Sequence, residues 1–126
     1  MKLLLDTHAF IWAVAASRRL SGKARDLLSD RQNQVLVSSA SAYEIEFKRP
    51  RSAELAGLPA DLDEAVRGLD FEWLSISHDH AMAAGRLPRL HGDPFDRIIV
   101  AQALLEQATV VTCDGLLGPY GAPVIW

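Results

Sequence analysis

Three short stretches of this chain are apolar at consecutive positions, not at alternate ones: Lys2-Leu3-Leu4-Leu5, Gln34-Val35-Leu36-Val37 and Thr109-Val110-Val111-Thr112. A strand with one wet face alternates, whereas a strand apolar throughout is buried on both faces, as in a parallel sheet. Parallel neighbours need long crossovers, and the segments between these runs have helical patterning. Thr7 to Ala16 carries Ala, Phe, Ile, Trp and Val for an inward face. Ser21 caps a helix to about Ser29, Ser38 to Lys48 forms another that Pro50 stops, and Ala60 to Leu69 is amphipathic. Residues 51 to 59 form a loop or a helical corner. Phe71 to Ile76 is a third strand in chain order, Ser77 caps a helix to about Arg86, and Pro123 to Trp126 supplies a fifth strand. The pattern predicts an α/β fold with its sheet covered on both sides.

The 126 residues suffice for one domain with its own core, spanning 1–126 without repeat or linker. No apolar run is long enough for a membrane, and MKLLLDTHAF has too short an apolar core for a signal peptide. A single cysteine, Cys113, excludes an internal disulfide and suits a reducing compartment, so the expectation is cytoplasmic. Cys113 reads as a small buried hydrophobe, and the three tryptophans as core or interface. Net charge of −3 speaks against a bare electrostatic binder of nucleic acid.

Chemistry gathers elsewhere. In His91-Gly-Asp-Pro-Phe-Asp-Arg97, Asp93 fits an N-cap and Pro94 the first helical position, with Ile98 to Leu105 continuing as an apolar helix. One acid suffices as a cap; Asp96 is surplus. His91 is placed to orient this acidic turn by a hydrogen bond. Asp6 and Asp114 each follow a strand, where sites of open α/β sheets lie. Glu44 falls in the helix after the second strand. Each has a bland reading: Asp6 as a cap, Glu44 as a solvated helix residue, Asp114 as a turn residue before Gly115. Gathered together they would repel, by about 4 kcal/mol per pair at 4 Å and an effective dielectric near 20. Divalent cations relieve that, and an all-carboxylate set favours Mg²⁺ or Mn²⁺ over zinc. His78 and His80 are spaced two apart and make no rival site. An aspartyl-phosphate enzyme would use Asp6 as nucleophile and want a second aspartate where His8 stands. A module without catalysis is the other alternative.

LLLDTHAFIW at the start, SSASAYEIEFK at 38–48, HGDPFDRIIVAQA at 91–103 and TCD at 112–114, in that order, resemble the PIN-domain ribonucleases. Among these the chain is similar to VapC-type toxins of bacterial toxin–antitoxin pairs, in the subgroup with an HxDPFDR segment. The resemblance implies a three-layer α/β/α sandwich with a central parallel sheet. It implies a toxin that hydrolyses RNA with Mg²⁺ or Mn²⁺, through Asp6, Glu44, Asp96 and Asp114 as catalytic and metal-binding acids. It places Asp93, Thr7 and Ser38 around those acids. It also implies a VapB-type antitoxin, a homodimer, and a heterotetramer or larger assembly with the antitoxin. The basic residues best placed in sequence for an RNA backbone are Lys48, Arg49, Arg51, Arg86, Arg89 and Arg97; Arg97 has pairing with Asp93 as its alternative. The subgroup's Gly-Lys-Leu turn is replaced here by Lys48-Arg49-Pro50-Arg51.

Overall fold

The computed structural model describes residues 1–90 and 92–126; the expectation for His91 lies outside the described residues. Five parallel strands, β1 (Lys2–Leu5), β2 (Gln34–Ser38), β3 (Glu72–Leu74), β4 (Thr109–Val111) and β5 (Val124–Ile125), stand in the order β3-β2-β1-β4-β5. β1 is central, with Leu4 opposite Leu36 on one side and Val110 on the other.

The uninterrupted apolar runs are explained by this placement. Successive strand side chains point to opposite faces. Leu3 and Leu5 join Val35, Val37 and Val111 in one core cluster, with Phe10, Ile45, Val66 and Phe71. Leu4 joins Leu36 and Val110 in the other, against Ile99, Val100 and Ala103. Each face has its own core, so neither parity can be polar.

The helices are α1 (Thr7–Val14), α2 (Gly22–Ser29), α3 (Ser39–Lys48), α4 (Ala53–Ala56), α5 (Leu62–Gly68), α6 (His78–Arg86) and α7 (Pro94–Glu106). Their starts are written locally. Asp6, Ser21, Ser38, Ser52, Asp61, Ser77 and Asp93 each accept a hydrogen bond from a backbone N–H of the helix they precede. Ser77 is reinforced by His80, whose Nδ1 accepts from the Ser77 N–H at 3.0 Å while Ser77 Oγ accepts from the His80 N–H at 3.1 Å. The buried His80 ring also reaches Glu106 at 3.1 Å. It is a structural histidine.

Two expectations are refined. The third strand shrinks to Glu72–Leu74, and the corner after Pro50 contains the short helix α4. Gly115–Tyr120, for which the sequence offers no clear element, forms a 3₁₀ turn around Pro119, capped by Asp114.

Candidate functional site

The chain lays β2 and β3 on one side of β1, then returns to lay β4 and β5 on the other. The order reverses between β1 and β4, and ligand crevices in open α/β sheets lie at the carboxyl ends of the strands at such a point. Asp6 leaves β1 there and Thr112-Cys113-Asp114 leaves β4 there.

Asp6 is 6% exposed. Its Oδ1 accepts from the Ala9 N–H at 2.8 Å and its Oδ2 from the Thr112 hydroxyl at 2.5 Å. Thr112 Oγ1 in turn accepts from the Asp114 N–H at 2.9 Å, so one hydroxyl links both strand-end acids. Burial raises the Asp6 pKa above the ordinary carboxylate value; the Thr112 and Ala9 hydrogen bonds and His8 work against the rise, and the charge of Asp96 adds to it. The Asp96 charge, from the first turn of α7, thus reaches Asp6.

At the first turn of α7 the capping role falls to Asp93. Asp93 Oδ1 accepts from the Phe95 N–H at 2.9 Å and the Asp96 N–H at 3.4 Å, which makes it the cap. Glu44, on α3, is also buried, at 7% exposure. Its Oε2 accepts from Lys48 Nζ at 2.6 Å. The Lys48 pKa is raised, first by that hydrogen bond and further by the charges of Glu44, Asp93 and Asp96, against a smaller opposing effect of burial. Asp6, Asp96, Glu44 and Asp93 therefore share one acidic pole, with Asp114 joined through Thr112.

Several expected roles fall differently. The Thr7 hydroxyl meets Ser41 Oγ at 2.9 Å, and Ser38 Oγ accepts from the Ala40 N–H at 3.0 Å as the cap of α3. The hydroxyl on Asp6 is that of Thr112, visible in sequence only as the first letter of the TCD motif. Arg97 commits its guanidinium to the carbonyls of Ala84, Leu87 and Pro88, at 2.9, 2.8 and 2.9 Å, where α6 ends. Arg49 is likewise held, by Glu46 at 3.0 Å and the Pro59 carbonyl at 2.8 Å. Arg51, Arg86 and Arg89 are exposed. Cys113 is exposed, not buried: it lies two residues past the end of β4, in the turn that leads to Gly115. Partial desolvation, then the charges of Asp6 and Asp114, push its thiol pKa up, which disfavours a thiolate nucleophile. His8 lies exposed against Trp12, ring centroids 5.5 Å apart.

The donor set is oxygen throughout, which fits a hard cation and not zinc. Among the described residues no three Asp, Glu, His or Cys side chains converge into a ligand cage. Mg²⁺ does not need one: it is commonly held by one or two carboxylates, with waters and substrate phosphate completing its shell. Asp6 and Asp96 fit that mode, since each Asp6 oxygen keeps a lone pair beyond its hydrogen bond.

Thr112→Val is expected to cost about 1–2 kcal/mol, because it strands the Asp114 N–H and removes the donor on Asp6. The acidic limb of the protein's pH–activity profile should move to higher pH, since the Thr112 hydrogen bond opposes the rise in the Asp6 pKa. An unmoved profile would free Thr112 from this role.

The PIN domain family matches residues 3–117. Solved structures of similar fold include VapBC2 from Rickettsia felis bound to a promoter DNA fragment, at TM-score 0.77 and 20% identity, covering 99% of this chain and 98% of that one. FitAcB from Neisseria gonorrhoeae aligns with TM-score 0.66 and 17% identity over 98% and 96% of the two chains. DNA-bound VapBC from Salmonella typhimurium aligns with TM-score 0.62 and 17% identity over 99% and 97%. No curated protein matches the sequence.

Proposed function

The chain belongs to the PIN domain family, and on that premise we propose that it is a metal-dependent ribonuclease and the toxin of a VapBC-type pair. The observation that carries this reading is a buried Asp6 at the switch point of the sheet, its carboxylate within reach of the charge of Asp96. A buried pole of that kind is costly for folding alone and useful for holding a divalent cation.

Asp6 and Asp96 would hold Mg²⁺ or Mn²⁺, with Glu44 and Asp114 completing the set directly or through waters. The bound ion supplies acidification of a water and neutralisation of the charge that builds on a phosphodiester during in-line displacement, leaving a 5′-phosphate and a 3′-hydroxyl. The chain supplies the rest. Thr112 and the Ala9 N–H fix both oxygens of Asp6, so its carboxylate is oriented before anything binds. Asp93 holds the α7 turn from which Asp96 projects. Arg97 ties that turn to the end of α6. Arg51, Arg86 and Arg89 face solvent and are available to an RNA backbone, as is the partly exposed Lys48.

The partner proposed is a VapB-type antitoxin, supported by the solved structures of similar fold, which include a toxin–antitoxin complex from Klebsiella pneumoniae with TM-score 0.65 and 22% identity. A homodimer, and a heterotetramer or larger assembly with the antitoxin, are part of the same proposal, as is action in the cytoplasm. Among the described residues no helix is long and apolar enough to cross a membrane.

The test is cleavage of RNA by the purified chain. Mg²⁺ or Mn²⁺ should support cleavage to 5′-phosphate ends, EDTA should abolish it, and a phosphatase substrate should not be turned over. Cleavage undiminished in EDTA would sink the metal-dependent reading. Turnover of the phosphatase substrate without RNA cleavage would instead favour Asp6 as a nucleophile.

A further inference from the structure

Glu44 presents a puzzle for any site built from the four acids. Its carboxylate is engaged by an ammonium from its own helix, Lys48 Nζ, one turn on and 2.6 Å away. A helical Glu–Lys pair at this spacing is ordinarily worth about 0.3–0.5 kcal/mol, and on the surface it means little. This pair is asymmetric: the Glu44 side chain is 10% exposed and that of Lys48 55%. An ionised carboxylate so far from water needs a compensating cation. Lys48 also responds to the charges of Asp93 and Asp96 from the start of α7. Its ammonium therefore stands at the edge of the whole acidic pole.

Resting on the metal-dependent reading above, we infer that Lys48 is an internal counter-ion, which holds Glu44 in the metal-free protein and yields it to the divalent ion. The asymmetry of burial is what makes the exchange feasible. Glu44 is fixed on α3 among buried neighbours, whereas the Lys48 stem can swing into solvent without any change of backbone. A small pocket of about 80 Å³, lined by Thr7, His8, Glu44, Lys48, Ser52 and Glu54 among others, adjoins the pair. That is space for about two or three waters. The ion then gains Glu44 only by outcompeting a cation already there. Lys48 in this role is a positioning residue: it sets where the Glu44 carboxylate rests before the ion arrives and weakens the ion's hold.

The experiment is calorimetric titration of Mn²⁺ into the metal-free protein, with thermal melts confirming that each variant folds. Lys48→Met should lower the Mn²⁺ Kd by roughly tenfold, from loss of a competing unit charge near the site. Lys48→Arg, which keeps the cation, should stay near the parent. In a Glu44→Gln background Lys48→Met should bring no gain. A parental Kd for Lys48→Met, with Mn²⁺ binding intact, overturns the inference and leaves the metal-dependent reading standing. A gain that persists in the Glu44→Gln background also overturns it, since Lys48 would then act only as a distant repelling charge. Absence of Mn²⁺ binding in parent and variants alike would overturn both.

Discussion

Asp6→Asn and Asp96→Asn are each expected to cost more than a hundredfold in divalent-ion-dependent RNA cleavage while leaving the metal-free protein as stable as the parent, or more stable. Outer-shell changes at metal sites cost about 10–100-fold, and loss of a carboxylate that holds the ion should exceed that. Stability moves the other way because Asp6 is charged where burial disfavours charge, and the charge of Asp96 adds to that cost. Asparagine caps a helix as well as aspartate does, so in Asp6→Asn the amide oxygen can still accept from the Ala9 N–H while the repulsion from Asp96 is gone. The pH dependence gives an independent reading. The folded-state pKa of Asp6 lies above its value of 3.8 in the unfolded chain. Between the two values the native state binds more protons, so its stability falls as pH rises through that window. Below the unfolded value the penalty is absent, and above the folded value it is complete. In EDTA the parent should therefore lose melting temperature as pH climbs above about 4, and Asp6→Asn should lose less. A variant that cleaves RNA at the parental rate would remove its carboxylate from the site. A variant with a large fall in melting temperature would show the acid to be structural.

Much of this site is legible in sequence because its parts are local. Asp6, Ser21, Ser77 and Asp93 can be read as caps because a cap needs only the next two or three residues. The strands are legible because burial on both faces leaves no polar parity. Asp6 and Asp114 are legible as partners because strand ends in a parallel sheet share one edge. What escapes depends on pairings far apart in sequence. Thr112 bonds Asp6 across 106 residues, and nothing near Thr112 announces it. The exposure of Cys113 escapes because the strand stops at Val111, an end point that the apolar run does not announce. The Glu44–Lys48 pair does carry a signal, its spacing of four on one helix, which is easily passed over when Lys48 is counted among cations for RNA. Arg97 has no such signal, because its partners are carbonyls and every residue has one.

Arg97 supplies the second large effect. Arg97→Met should destabilise the fold by roughly 2 kcal/mol, a fall in melting temperature on the order of 5–10 °C. The guanidinium serves the carbonyls of Ala84, Leu87 and Pro88; Ala84 also accepts from the Leu87 N–H, while Leu87 and Pro88 lie past the last residue of α6. Methionine fills similar volume but returns none of those bonds, and lysine has no planar fork with which to span three acceptors. Cleavage should fall by tenfold or more, because Arg97 directly follows Asp96 and the turn it anchors sets where that carboxylate points. The alternative, a direct bond to an RNA phosphate, makes a different forecast. Removing one such cation–phosphate pairing from a single strand lowers the salt dependence of binding by about 0.7 in log–log slope and leaves the free protein's stability untouched. Arg97→Met should therefore lower melting temperature and kcat with the salt slope unchanged. Arg51→Met, at an exposed position, should lower the slope and keep the parental melting temperature. If the two variants exchange these signatures, Arg97 belongs to the RNA-binding surface and the end of α6 is held by something else.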